Sequence, residues 1–364
     1  MRIAIIHLGR KGGGPPYILD MAKALSRQGA EVRAFVSAEV ENRKQFEESG
    51  LDVEYVDTYV SSLGFVWSVV SQYKIARLAG KIKAYKPDYV YSTLIHTWDP
   101  FLFPRLKFTT RIKTIHDADR HLGADSRYIK FMHESQFKDA ELFVILSKGF
   151  TDRLTERGID EKNILVLPHA GYTYYNQFGE TTPLNKRPTM LFFGRIEKYK
   201  GIGLLLEALA LIKVEVPNVL VRIAGSGDIT PYQEQLNKLS DNIDLHNVWV
   251  KDEEVASYIE DVDFTVLPYI HATQSGVIPL SYAFKKPVLV TNVGCLAEQV
   301  VDGVTGRIVR TLEPADLAKA AIDMLKDREQ TKLLGEQAFN YMEENLTWDA
   351  SARNLIAFLE RSRR

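Results

Sequence analysis

The sequence predicts an α/β protein of two Rossmann-like domains, each a doubly wound parallel sheet, facing each other across a cleft. Three observations carry this. At 364 residues the chain is too long for one ordinary core and fits about two. Strand-like runs alternate with helical ones from end to end, the βαβ rhythm of a parallel sheet. The rhythm then starts afresh after a polar, Pro-containing stretch at 172–188.

The elements follow in order. Residues 2–8 form a β-branched run that ends in Gly9, Gly12, Gly13 and Gly14, and a helix fits 16–28. Strands are expected at 31–37 and 51–56, one helix at 64–85, and buried strands at 88–92, 113–115 and 142–146. After the restart, the expected strands are 190–193, 219–224, 248–250, 264–267 and 287–291, and 315–364 reads as wholly helical. The domains are therefore placed at 1–171 and 172–340, with a last helix at 341–364 packing back on the first. In such folds ligands bind outside the carboxyl ends of the strands.

Composition narrows the classes. Hydrophobic content of 45% with 26% charged residues is ordinary for a globular protein, and the formal charge of −1 gives no bulk field for nucleic acid. Residues 1–171 carry 25 Lys+Arg against 21 Asp+Glu, leaving 21 against 26 for the rest, a mild asymmetry of +4 and −5. One cysteine, Cys295, leaves no intramolecular disulfide and no cysteine zinc cluster. Neither a signal peptide nor a membrane span is legible, so a cytoplasmic location is expected.

The richest chemistry lies at 190–201. An apolar run ends at Gly194, Arg195 and Lys200 follow five positions apart, and a leucine-rich helix begins after Gly201. Two cations beside a helix N-terminus make an anion site suited to a phosphate or diphosphate. Arg195 would fork onto two oxygens and Lys200 would act as a point charge. Gly225-Ser226-Gly227 ends another strand, where it either offers main-chain donors or is a tight turn with Asp228 as helix cap. Gln274, Ser275, Gly276 and Val277 precede an apolar helix, and the last three would turn N–H groups toward a polar ligand. The glycines at 9–14 are not spaced as G-x-G-x-x-G; they form a ligand-facing loop or simply a close strand–helix turn. His116-Asp117 and Ser147-Lys148 end strands of the first half and reach the same cleft. No metal-ligand cluster stands out, beyond a remote grouping of His116, His121 and His133, so neither metal nor cofactor is expected.

Taken together, these residues resemble the family-4-type glycosyltransferases of the GT-B fold, over nearly the whole chain. The resemblance rests on Gly194-Arg195 with Lys200-Gly201, on Gly225-Ser226-Gly227, and on the run from Pro287 through Gly294, Glu298, Asp302-Gly303 and Gly306 to Val309. His116-Asp117 and Trp348 fit too. It implies transfer of a sugar from a nucleotide-sugar, UDP-linked before GDP-linked, to a saccharide or lipid-linked acceptor, with retention at the anomeric carbon and without a metal. Arg195 and Lys200 would hold the diphosphate and stabilise its charge as the glycosidic bond breaks. His116 would touch the donor sugar, Gly12, Gly13 and Gly14 would meet phosphates or acceptor, and residues around Val250 would line the base pocket. The family's Glu-x7-Glu is replaced here by Gln274 and Tyr282. Gln274 can still bond a hydroxyl, but Tyr282 supplies no carboxylate for a ribose diol. That departure keeps a weakened or non-catalytic sugar-nucleotide binder as an alternative, beside a nucleotide-sugar epimerase of the same fold. Separately, Phe65, Trp67, Lys74, Arg77, Lys81, Lys83 and Lys86 lie on the expected 64–85 helix, which reads either as an anionic-membrane surface or as a solvated basic face.

Overall fold

The computed structural model describes residues 1–116, 127–179 and 183–362. The chain divides into two compact units, Met1–Pro168 with Trp348–Arg364, and His169–Thr347.

The first unit is a seven-stranded parallel sheet. Its strands are β1 (Arg2–His7), β2 (Glu31–Ser37), β3 (Asp52–Val56), β4 (Tyr89–Ser92), β5 (Thr110–Ile115), β6 (Leu142–Ile145) and β7 (Ile164–Val166). Their spatial order is β3-β2-β1-β4-β5-β6-β7, so the winding reverses between β1 and β4. β1 is buried at five of its six positions, because helices cover both faces of a parallel sheet; its continuous apolar run has that cause. The helix Gly14–Arg27 opens with Pro15 and Pro16, whose missing N–H groups cost nothing in a first turn. The last helix, Trp348–Ser362, belongs to this unit. Trp348 sets its ring edge-on to Tyr17 at 4.9 Å, Asp349 pairs with Arg27 at 2.9 Å, and the Tyr89 hydroxyl donates to the Leu359 carbonyl.

The second unit holds β8 (Thr189–Phe193), β9 (Leu220–Ala224), β10 (Ile243–His246), β11 (Phe264–Leu267), β12 (Val288–Thr291) and β13 (Gly306–Val309). They lie parallel in the order β10-β9-β8-β11-β12-β13, with the reversal between β8 and β11. The helix Ile202–Glu215 buries its inner side between this sheet and the helix Pro314–Lys326, while Leu211 and Val214 stay exposed on its outer side. Leu205, Leu209 and Ile212 share one core with Ala318, Ala321 and Leu325.

The structure corrects the element reading in three places. The single helix expected at 64–85 is two, Ser62–Ser71 and Tyr73–Tyr85. Gln72 takes a left-handed conformation at φ 55°, and its side-chain amide donates to the Val69 carbonyl, closing the first helix. The strand expected at 248–250 is not formed. β10 ends at His246, where Val248 N–H folds back onto the His246 carbonyl and stops the ladder. The short strands β7, β10 and β13 were not expected. No helix among the described residues is long and apolar enough to cross a membrane.

Candidate functional site

The reversal point of the second unit gathers the cations. Between β8 and β11 the loops after the two strands are tied together, with Ile270 N–H donating to the Tyr199 carbonyl at 2.8 Å. Lys200 ends a 3₁₀ turn, Lys198–Lys200, and Gly201 then caps the helix Ile202–Glu215 in a left-handed conformation at φ 72°. Lys200 is only 9% exposed. Its ammonium lies 5.5 Å from the centre of the Tyr269 ring and reaches back over Gly194, where an added Cβ would come within 2.8 Å of Nζ. Among the described residues no carboxylate stands within ion-pair distance of it. Burial pushes its pKa below the ordinary lysine value. A buried, unpaired cation beside the unbonded N–H groups of a helix start is an arrangement that an anion completes. Arg195 differs. Its side chain is 64% exposed and stands 3.5 Å from Glu197.

The neighbouring loop is zipped onto this one. Gly194 N–H donates to the Ala224 carbonyl, and Ile196 N–H to the Ser226 carbonyl. Here the structure corrects an expectation. Gly225 N–H is taken up by the His246 carbonyl and Gly227 N–H by Asn247 Oδ1, so neither offers a donor to a ligand. Gly225, at φ 150°, is glycine because a Cβ would fall 2.0 Å from the Gly194 carbonyl oxygen. Val250 lies in the loop after β10, the edge strand, and the same loop holds Gly227 through Asn247.

The loop after β11 is also more committed than expected. Ser275 N–H donates to Gln299 Oε1 at 2.7 Å, and Val277 N–H to the Ser275 hydroxyl at 3.2 Å. Of the three expected donors only Gly276 N–H lacks a hydrogen-bond acceptor among the described residues, and the helix it precedes, Val277–Ala283, is short. Tyr282 is fully buried, and its hydroxyl lies 2.7 Å from Thr305 Oγ1 and 3.1 Å from the Gln299 carbonyl, sharing its one proton between them. It is no donor-binding side chain in this structure. It braces Gln299, whose side-chain amide grips both the N–H and the carbonyl of Ser275. Gln274 differs again, since its Oε1 is buried with no hydrogen-bond partner among the described residues, which costs stability until a donor reaches it.

The reversal point of the first unit, between β1 and β4, gathers imidazoles. His7 ends β1 and is 1% exposed. Its Nδ1 faces the Thr93 hydroxyl at 3.3 Å, while Nε2 has no partner among the described residues. Gly14 packs on this ring, for an added Cβ would meet Cε1 at 2.3 Å, and Gly9 does the same against Nε2 at 2.7 Å. The His7 ring thus requires glycine at two of the loop positions. Gly12 (φ 82°) and Gly13 complete the turn. His116 follows β5, with Nε2 donating to the Thr93 carbonyl at 2.7 Å and its ring 5.9 Å from Tyr17. His96 accepts Trp98 N–H at Nδ1. Burial first, then the neighbouring imidazoles, pulls the His7 pKa down to about 3, and burial with Arg10 does the same for His96. Ser147 and Lys148 follow β6 in this unit. Asp117 and His121 lie outside the described residues.

Sequence reasoning missed His7, His96 and Gln299. His7 had a readable signal, an imidazole at the end of the first strand directly before a glycine loop; Gln299 had none.

Two family descriptions match the chain. "Glycosyl transferase 4-like domain" covers residues 12–170 and "Glycosyl transferases group 1" covers 187–327. Among curated proteins, an uncharacterised glycosyltransferase of Methanocaldococcus jannaschii is 22% identical over 287 residues, 72% of this chain and 71% of the relative. The glycogen synthase of Mycobacterium tuberculosis is 23% identical over 296 residues, 75% of this chain and 68% of the relative. Among solved structures, Anabaena HepE in complex with UDP superposes with a TM-score of 0.74 at 16% identity, covering 99% of this chain and all (100%) of HepE.

Proposed function

We propose a reaction for a chain that belongs to the family-4-type glycosyltransferases of the GT-B fold: it moves a sugar from a nucleotide-sugar to a saccharide or lipid-linked acceptor, with retention at the anomeric carbon and without a metal. UDP is the favoured carrier and GDP the second. The observation that carries this reading is Lys200, a buried ammonium with no carboxylate partner among the described residues, set beside the start of a 14-residue helix. A nucleoside diphosphate supplies the missing negative charge. As the bond from the anomeric carbon to the diphosphate oxygen breaks, the electron pair goes to the diphosphate. The anomeric carbon bonds the acceptor oxygen, whose proton leaves with the diphosphate or to water. Lys200 and Arg195 stabilise charge where it develops, the role a divalent ion fills elsewhere. Arg195 is exposed in this structure and folds onto the phosphates only when they are present. Gln274 serves a sugar hydroxyl in place of a glutamate.

UDP binding by a structural neighbour at 16% identity supports the choice of carrier without fixing it. The test is thermal stabilisation by UDP-, GDP-, ADP- and CMP-sugars, each with and without EDTA, followed by the anomeric configuration of the product on NMR. A shift with one uridine or guanosine sugar, unchanged by EDTA, and a retained anomer are expected. Stabilisation that disappears with EDTA overturns the metal-free part. An inverted product overturns the stereochemical part.

A further inference from the structure

We infer that the first unit seats itself on an anionic lipid surface through the outer face of the helix Ser62–Ser71. This goes beyond the transferase reading and stands on different residues. Leu63, Val66, Trp67 and Val70 recur at the i, i+3, i+4, i+7 spacing that normally marks the inward stripe of a helix. Here that stripe faces out. The four are 83%, 55%, 70% and 71% exposed, and Val60 and Tyr73 extend the patch at 70% and 68%. Among the described side chains of this helix only Ser68 is buried, its hydroxyl receiving the Trp98 indole N–H. Six large apolar side chains in one run of 14 residues exceed the scattered exposure that any surface shows.

Charge selects the occupant. Between Asp57 and Asp88 the chain carries Lys74, Arg77, Lys81, Lys83 and Lys86 and not one Asp or Glu. Lys74 and Lys81 are answered by Asp57 and Glu54 from outside that stretch. Arg77, Lys83 and Lys86 are exposed and have no ion-pair partner among the described residues. On the helix Tyr73–Tyr85, Arg77 follows Tyr73 by one turn, opposite the buried Ile75, Leu78, Ala79 and Ile82. The break at Gln72 sets an apolar helix next to a basic one. Trp and Tyr at a boundary of apolar and cationic groups is the pattern that lipid headgroups complement. A second protein copy would need acidic partners that this stretch lacks.

The test uses the full chain with phosphatidylcholine vesicles and with vesicles containing about a third phosphatidylglycerol, read by flotation. Binding to the anionic vesicles is expected, weakening as salt rises. Trp67→Asp with Val70→Asp should lower the vesicle affinity on the order of 100-fold. Arg77→Glu with Lys83→Glu and Lys86→Glu should lower it by about the same factor. All five positions are exposed, so both variants should keep the wild-type melting temperature and its shift with nucleotide-sugar. The proposal is overturned if the wild type ignores both vesicle types, or if the Asp pair binds them as well as wild type. It is also overturned if the wild type is a dimer that the Asp pair disperses, which would give the stripe to a second copy.

Discussion

The two units share a winding and differ in what they place at its reversal. Between β8 and β11 the second unit presents Lys200 and Arg195; between β1 and β4 the first presents His7, His96 and His116. Both sets sit at carboxyl ends of parallel strands, where this topology binds ligands. Yet one site is cationic with an unanswered charge, and in the other burial keeps His7 and His96 neutral. A neutral imidazole can give or take a hydrogen bond but cannot balance a diphosphate. Topology therefore marks the same position in each unit, and the side chains at the strand ends set what chemistry that position can offer.

The sharpest break of this comparison is removal of the buried cation. Lys200→Met keeps the apolar stem and deletes the charge. It should cost on the order of 100- to 1,000-fold in turnover and a comparable share of nucleotide-sugar affinity, measured by product formation and calorimetry. Arg195→Met, which removes a solvated group, should cost about tenfold. Equal, small losses from both would place the diphosphate somewhere other than the β8 loop.

The corresponding break in the first unit is steric. Gly14→Ala drives a methyl into the His7 ring and should destabilise the chain by about 1–3 kcal/mol in thermal or denaturant unfolding. Paired with His7→Ala, the same substitution should cost less than the sum of the two single changes, because the obstruction is gone. Strict additivity would mean that Gly14 is glycine for a ligand after all.

That result bears on how much the sequence made legible. The βαβ rhythm gave both sheets, since buried parallel strands such as β1 and β8 read as unbroken apolar runs. It failed where apolar composition did not mean pairing. Val248, Trp249 and Val250 are strand formers, but Asn247 and the turn onto His246 end the ladder before them. It failed at Gln72, because a non-glycine in the left-handed region leaves no mark in a helical pattern. Lys200 was legible as a cation after a strand; its burial over Gly194 was not. The glycines of 225–227 were legible as special, but their role is close packing of two loops and not donation. Tyr282 was visible as a departure, and only the structure turns it from a missing clamp into a brace.

Acid tests the first unit alone. The folded-state pKa of His7, about 3, lies below its unfolded value near 6.5, so below pH 6.5 the unfolded chain binds a proton that the folded chain refuses. Its contribution is whole above pH 6.5 and shrinks as pH falls toward 3. At pH 5 the loss is about 2 kcal/mol, and His96 adds a similar term. Asp20 and Asp99 run the other way. Burial raises them to about 7 and about 6, so the folded state takes up their protons first and gains stability as pH falls. The wild type should consequently show a shallow acid slope. His7→Leu should lose about 2 kcal/mol less than wild type between pH 7.5 and 5, followed by denaturant unfolding at the two pH values. An identical slope would mean that His7 titrates normally and is not sealed under the glycine loop.

The smallest effect tests the brace. Tyr282→Phe deletes one hydroxyl and leaves the Gln299 carbonyl short of a donor inside the second unit, while Thr305 Oγ1 keeps the Val301 N–H, at a cost of about 1 kcal/mol in stability. The Gln299 side chain still holds Ser275 by its own two hydrogen bonds, at 2.7 and 3.1 Å, so nucleotide-sugar affinity should fall by no more than about threefold. Gln299→Ala releases Ser275 directly and should weaken binding more than Tyr282→Phe does, though it lies further along the same chain of contacts. The reverse order would mean that the Tyr282 hydroxyl reaches the nucleotide itself, after a rearrangement that draws the Val277–Ala283 helix outward. In that event the residue at the family's second acidic position would have kept its ligand and changed only its chemistry. With the expected order, the Ser275 loop is rigid before the donor arrives, and recognition at this rim depends on positioned backbone and on Gln274 more than on a carboxylate clamp.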